Sequence, residues 1–141
     1  MAHPGVVGIL TEVLGPNVKA MQSMLFIKSS GKPGQAWHQD EDYIPSRDRS
    51  LTGAWIALDR ATVENGCLWV LPGSHRENPQ LEFVNEPDKN NLLVRGQTIK
   101  GLDLSRAKPM VLDSGEFSLH HESIVHGSDP NNSDHRRIGL S

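Results

Sequence analysis

The chain has 141 residues, a length that fits one domain with room for a core. Its 14 basic and 17 acidic residues give a formal net charge of -3, so there is no electrostatic case for nucleic acid or an anionic membrane as a partner. No apolar run approaches the ~18 residues of a membrane span. The first residues lack a secretory signal, and the single cysteine, Cys67, excludes an internal disulfide and a cysteine-based zinc site. A reducing, cytoplasmic setting is the expectation.

Val6, Ile9, Leu10, Val13 and Leu14 recur at helical spacing, and Gly15-Pro16 ends that short amphipathic helix. Strand candidates follow over residues 20–28, 35–40 and 50–59, the last with Trp55 near its middle. Asn65-Gly66 is a turn signal, the apolar run 67–71 reads as β, and Pro72-Gly73-Ser74-His75 breaks it. Residues 76–91 are polar, carry Pro79 and Pro87, and read as a long excursion with little regular structure, the kind of loop that often serves as a lid. Strands are expected again over 92–100, 109–112, 115–120 and 123–126, then over 136–141 beyond the turn cluster 129–134. About eight short strands separated by turns, with no internal repeat, predict a mainly β fold, a barrel or double-sheet jelly roll behind a short N-terminal helix.

The chemistry concentrates in His38-Gln39-Asp40, His126 and Arg137. Two histidines and a carboxylate with open positions are the ligand set of a non-haem Fe(II) centre. Residues two apart on a strand share a face, so His38 and Asp40 are expected to converge on one ion. His126, at the end of a strand near the other end of the chain, can supply the third ligand, with His120 and His121 as competitors. A guanidinium grips a carboxylate through two parallel hydrogen bonds, which makes the strand after the turn cluster a place to hold an acidic cosubstrate. Arg136 and Arg137 face opposite ways there, so only one of them can point inward.

Six segments in order carry a family resemblance: Ala20-Met21-Gln22-Ser23-Met24-Leu25, Trp37-His38-Gln39-Asp40, Gly53-Ala54-Trp55, Glu64-Asn65-Gly66-Cys67-Leu68, Leu71-Pro72-Gly73-Ser74-His75 and His126-Gly127-Ser128. Together they resemble the phytanoyl-CoA dioxygenase family of Fe(II)/2-oxoglutarate oxygenases. The resemblance implies a double-stranded β-helix, the cupin-like jelly-roll variant. It implies Fe(II) at His38, Asp40 and His126, and 2-oxoglutarate held at its distal carboxylate by Arg137, not Arg136, with help from Ser128. Met24 and Trp55 would line the cosubstrate pocket.

The reaction so implied consumes O2 and 2-oxoglutarate, releases succinate and CO2, and hydroxylates a small organic molecule or acyl conjugate. Asp40 favours hydroxylation, since related halogenases have a small residue there that leaves room for halide. Tyr43, Arg47 and His75 are the substrate-side candidates, and His120 shares with His75 a supporting or lid role. Family members carry more chain on both sides of this segment, so it reads as a compact or truncated version of one domain. A catalytically silent metal-binding β-barrel is the runner-up, and a cupin-type enzyme without 2-oxoglutarate the third reading. The substrate and the oligomeric state are not legible.

Overall fold

The computed structural model describes residues 3–77, 82–85 and 97–141. Helix α1 spans Pro4–Leu14, with proline in its first turn and Gly15 beyond its end. None of its residues is buried. Among the described residues ten strands follow: β1 (Leu25–Lys28), β2 (Gln35–His38), β3 (Thr52–Ala57), β4 (Leu68–Val70), β5 (Glu82–Asn85), β6 (Gln97–Lys100), β7 (Lys108–Met110), β8 (Phe117–His121), β9 (His126–Ser128) and β10 (Arg137–Leu140). A short helix, α2, spans Ser74–Glu77.

Eight strands form two four-stranded sheets, in the orders β1-β10-β3-β8 and β2-β9-β4-β7, and β5 pairs with β6 as a separate ribbon. Every pairing is antiparallel. The first four strands alternate between the two sheets, and so do the last four. The late strand β10 is therefore inserted between β1 and β3, and the late strand β9 between β2 and β4. That interleaving is the jelly roll expected from the sequence. It has a direct consequence for function, because residues about a hundred positions apart become cross-strand neighbours.

The alternation of the strands sets what points inward. In β3 the buried residues are Trp55 and Ala57, and in β10 they are Arg137 and Gly139. Trp55, Ala57, Ala61, Cys67 and Leu68 form one core cluster between the sheets, with Phe26, Met110 and Leu112 packed against it. Leu71, Ile99 and Val125 form a second, with Trp37 and Leu102. Gly139 is required by the first cluster, since a β-carbon there would overlap the Trp55 indole.

Four sequence expectations change. The strand expected over 20–28 begins only at Leu25. The strand expected over 35–40 stops at His38, and Asp40 opens a 3-10 turn, Asp40–Asp42. The strand expected over 123–126 instead begins at His126 and runs on to Ser128, because 122–124 form a turn ahead of it. The stretch 76–91, expected to have little regular structure, carries part of α2 and strand β5, whose backbone groups pair with β6. Positions 78–81 and 86–91 of that stretch, and 92–96 of the next expected strand, lie outside the described residues. Among the described residues no helix is long and apolar enough to cross a membrane.

Candidate active site

His38 and His126 are direct register partners on β2 and β9. Opposed residues of an antiparallel pair share a face, and here their rings lie 4.2 Å apart between centroids, both buried. The pairing passes through an irregularity. Gln35 opposes Ser128 and His38 opposes His126, so β2 carries one residue more than β9 between the two pairs. This is a β-bulge, which re-aims side chains next to it. It brings Gln35, which a regular strand would turn to the other face, within 3.2 Å of His38 through Nε2 of each.

Asp40 reaches the histidines from the turn beyond β2, not from the strand itself. That turn is tied to the segment ahead of β9: Gln39 Nε2 donates to the Ser123 carbonyl, and the Glu41 N–H donates to the Glu122 carbonyl at 3.3 Å. Asp40 Oδ1 then lies 3.8 Å from His38 Nε2 and 3.7 Å from His126 Nε2. One ligand atom from each of His38, Asp40 and His126 falls within 4.8 Å of the other two, an arrangement that can hold a metal ion.

The hydrogen bonds fix which ring nitrogens are free. A carbonyl only accepts, so His38 Nδ1 donates to the Ala36 carbonyl (2.8 Å) and His126 Nδ1 to the Ile124 carbonyl (3.0 Å). In the neutral rings both Nε2 atoms then carry a lone pair toward the cluster, and the Gln35 amide donates to that of His38. Burial holds both imidazoles neutral: it pushes His126 down to about 3, helped by neighbouring His38, and lowers His38 as well. Neutral imidazole is the form that binds metal.

His120 behaves differently. Its Nε2 lies 3.2 Å from Asp40 Oδ2 and donates to it, so it presents a proton to the cluster and not a lone pair. One carboxylate oxygen is occupied by His120, and the other faces the two unprotonated Nε2 atoms. Burial acts to raise the Asp40 pKa, but the His120 hydrogen bond leads the opposing causes, and the carboxyl lies below its ordinary value. The ring of His120 has room only because residue 53 opposite is glycine, where a β-carbon would overlap it. Solvent reaches the cluster from the carboxylate side, since the Asp40 side chain is 25% exposed against 4% for His38 and 6% for His126.

A second group gathers on the other sheet. Arg137 is buried on β10 and its guanidinium lies 5.2 Å from the Trp55 ring centre, while Arg136 points outward to Asp59 at 3.1 Å. Arg137 Nη2 donates to the Gly66 carbonyl at 2.8 Å, and its Nε is buried with no partner among the described residues. Burial lowers Arg137 to about 10, which leaves it charged at neutral pH. Ser128 is buried beside this group on β9.

Of the remaining predicted positions, Tyr43 sits edge-on to His38 with ring centres 5.7 Å apart. His75, on α2, lies 5.8 Å from His121 between ring centres and has a buried Nδ1 without a partner among the described residues. Met24 and Arg47 stand at the surface. Two residues of these groups escape the sequence reading, Gln35 and Lys28. The available signal for Lys28 was a single charge at the end of the apolar strand Leu25-Phe26-Ile27. Gln35 had none, because the bulge that aims it is invisible in the sequence.

Comparison with known proteins gives a consistent picture. The chain is 33% identical to "Phytanoyl-CoA dioxygenase 1" of Oryza sativa subsp. japonica over 122 residues, 86% of this chain and 42% of that protein. Among solved structures, the apo form of the non-heme monooxygenase ThoJ superposes with a TM-score of 0.79 at 29% identity, covering 98% of this chain and 50% of that one. EvdO2 from Micromonospora carbonacea var. aurantiaca, complexed with 2-oxoglutarate, superposes with a TM-score of 0.70 at 28% identity, covering 96% and 56%. The chain thus spans about half the length of the relatives it matches. The family described as Phytanoyl-CoA dioxygenase (PhyH) matches residues 1–139, and the chain belongs to it.

Proposed function

We propose that the chain is the core of a non-haem Fe(II)- and 2-oxoglutarate-dependent dioxygenase that hydroxylates a small organic molecule or acyl conjugate. The observation that carries this reading is the cross-strand pair His38–His126, with both Nε2 atoms unprotonated and Asp40 Oδ1 beside them. Two neutral imidazoles and one carboxylate are the donor set that suits Fe(II) with open positions. When bound, iron and 2-oxoglutarate supply oxygen activation coupled to loss of CO2 and formation of succinate.

The chain's own residues divide the remaining work. His38, Asp40 and His126 hold the ion, and His120 holds the carboxylate oxygen that does not. Arg137 and Ser128 take the distal carboxylate of 2-oxoglutarate, supported by the unpaired Arg137 Nε in a buried setting. The Trp55 ring against the guanidinium keeps it in place. Tyr43, beside His38, is our first candidate to meet substrate, with Arg47 and His75 as further candidates. Asp40 completes a three-residue ligand set, which supports hydroxylation as the outcome.

The test is succinate release from 2-oxoglutarate over a substrate panel, with products read by mass. We expect turnover that needs Fe(II) and Arg137 and a product gaining one oxygen atom. Metal binding without oxygen-dependent consumption of 2-oxoglutarate would instead identify a silent barrel.

A further inference from the structure

Lys28 and Arg137 are direct register partners on β1 and β10, and both point into the protein, 8% and 3% exposed. Like charges directly opposed on neighbouring strands repel, and burying a cation away from water is costly. Among the described residues neither makes an ion pair with a carboxylate. The two cations converge on one acceptor instead: Lys28 Nζ and Arg137 Nη2 both donate to the Gly66 carbonyl.

Lys28 spends its other two protons on the Asp129 carbonyl (2.7 Å) and on Ser128 Oγ (2.8 Å). The Gln35 backbone N–H also donates to Ser128 Oγ, at 3.2 Å. A hydroxyl has two lone pairs and one proton. Both lone pairs of Ser128 are therefore taken by groups that cannot accept in return. Its own proton is left for a further acceptor. Arg137 Nε, buried and without a partner among the described residues, is a second unused donor of the same group.

We propose that Lys28 is a positioning residue of this pocket, which fixes the Ser128 hydroxyl as a hydrogen-bond donor to a ligand carboxylate and adds a second cation beside Arg137. The inference rests on the cosubstrate reading above for the identity of that carboxylate, 2-oxoglutarate. A carboxylate accepts only, so it satisfies both unused donors and offsets two buried charges at once. A neutral ligand that donates as well as accepts does neither as well.

The experiment titrates the Zn(II)-loaded protein with 2-oxoglutarate, and in a separate arm with glutarate, by calorimetry. Lys28→Met, Ser128→Ala and the double variant are compared with the unsubstituted protein. Each single change is expected to weaken both ligands roughly tenfold or more, as loss of a charge-assisted hydrogen bond does. Because Lys28 acts through Ser128, the double variant is expected to fall short of the product of the two losses. Binding of both ligands to Lys28→Met within about twofold of the unsubstituted protein, or losses that simply multiply, overturns the proposal.

If Lys28→Met does not fold, the unsubstituted protein decides. The charged and titratable groups facing Lys28 are Arg137 on β10, Cys67 ahead of β4 and Asp129 after β9. Burial, with Arg137, holds Lys28 near 7, so an anion arriving beside it draws in a proton. At about pH 8, calorimetry in buffers of different ionisation enthalpy is expected to read net proton uptake on 2-oxoglutarate binding; no uptake at any pH from about 7 to about 10 overturns the proposal. Glutarate binding that depends on Lys28, without 2-oxoglutarate binding, would sink the cosubstrate reading and leave the role of Lys28 standing. Binding of 2-oxoglutarate that ignores Lys28 does the reverse, and no carboxylate binding at all overturns both.

Discussion

The histidine cluster and the arginine pocket use the same construction and opposite chemistry. Each is founded on an opposed residue pair across an antiparallel ladder, His38–His126 between β2 and β9, and Lys28–Arg137 between β1 and β10. In the first, backbone carbonyls take up the ring N–H groups and leave the Nε2 lone pairs beside Asp40, that of His38 shared with the Gln35 amide, a site short of a cation. In the second, carbonyls and a hydroxyl take up most of the donors and leave an N–H and an O–H unused, a site short of an anion. Ser128, two residues after His126, sits where the two meet, with Gln35 touching both through its side chain and its backbone. The difference teaches what to look for in such a barrel: the unsatisfied half of each polar pair names the ligand's charge.

Breaking the cation side is expected to have the largest effect. Asp40→Ala removes the only anionic ligand and is expected to lower Fe(II) affinity by more than the roughly 10–100-fold typical of losing an outer partner, read by metal titration. Breaking the anion side comes next: Arg137→Met is expected to raise the KM for 2-oxoglutarate by about a hundredfold while leaving Fe(II) affinity in place. An equal loss of both would mean that the two regions are one site.

His120→Phe sharpens the distinction between ligand and support. With its donor to Asp40 gone, metal affinity is expected to drop roughly tenfold, far less than for Asp40→Ala. A loss as large as that of Asp40→Ala would make His120 a ligand.

The smallest effect is a pH dependence. Lys28 has a folded pKa of about 7 against an ordinary 10.5, so between those values the unfolded chain binds more protons than the folded one. Stability of the ligand-free protein is then expected to rise with pH above about 7, and below that the full cost of the buried charge is present. Cys67, whose buried thiol is pushed above its ordinary 9.0, works the other way at higher pH, so the scan belongs between about pH 7 and 8.5. Thermal melts of Lys28→Met are expected to lose that slope.

The sequence made the residues of the cation side legible because metal ligands are chemically conspicuous and their motifs are short. It misplaced how they meet. The spacing of His38 and Asp40 fits a strand face, but a strand ends at His38, and a turn held down by Gln39 and Glu41 delivers the carboxylate. The choice of Arg137 over Arg136 came from resemblance, and the alternation of β10 supplies the physical reason, with Arg137 buried and Arg136 paired outward to Asp59. Lys28 stayed hidden because a lysine at a strand end reads as a surface charge until the strand opposite it is known. The bulge that aims Gln35 depends on a register between residues about ninety positions apart, which no local pattern encodes.

The most direct measurement of the central claim is the visible spectrum of the protein under anaerobic conditions as Fe(II) and then 2-oxoglutarate are added. The expected result is a metal-to-cosubstrate charge-transfer band that needs both additions, vanishes in His38→Ala and Asp40→Ala, and requires much more 2-oxoglutarate in Arg137→Met. A band that survives unchanged in His38→Ala or Asp40→Ala would contradict the assignment.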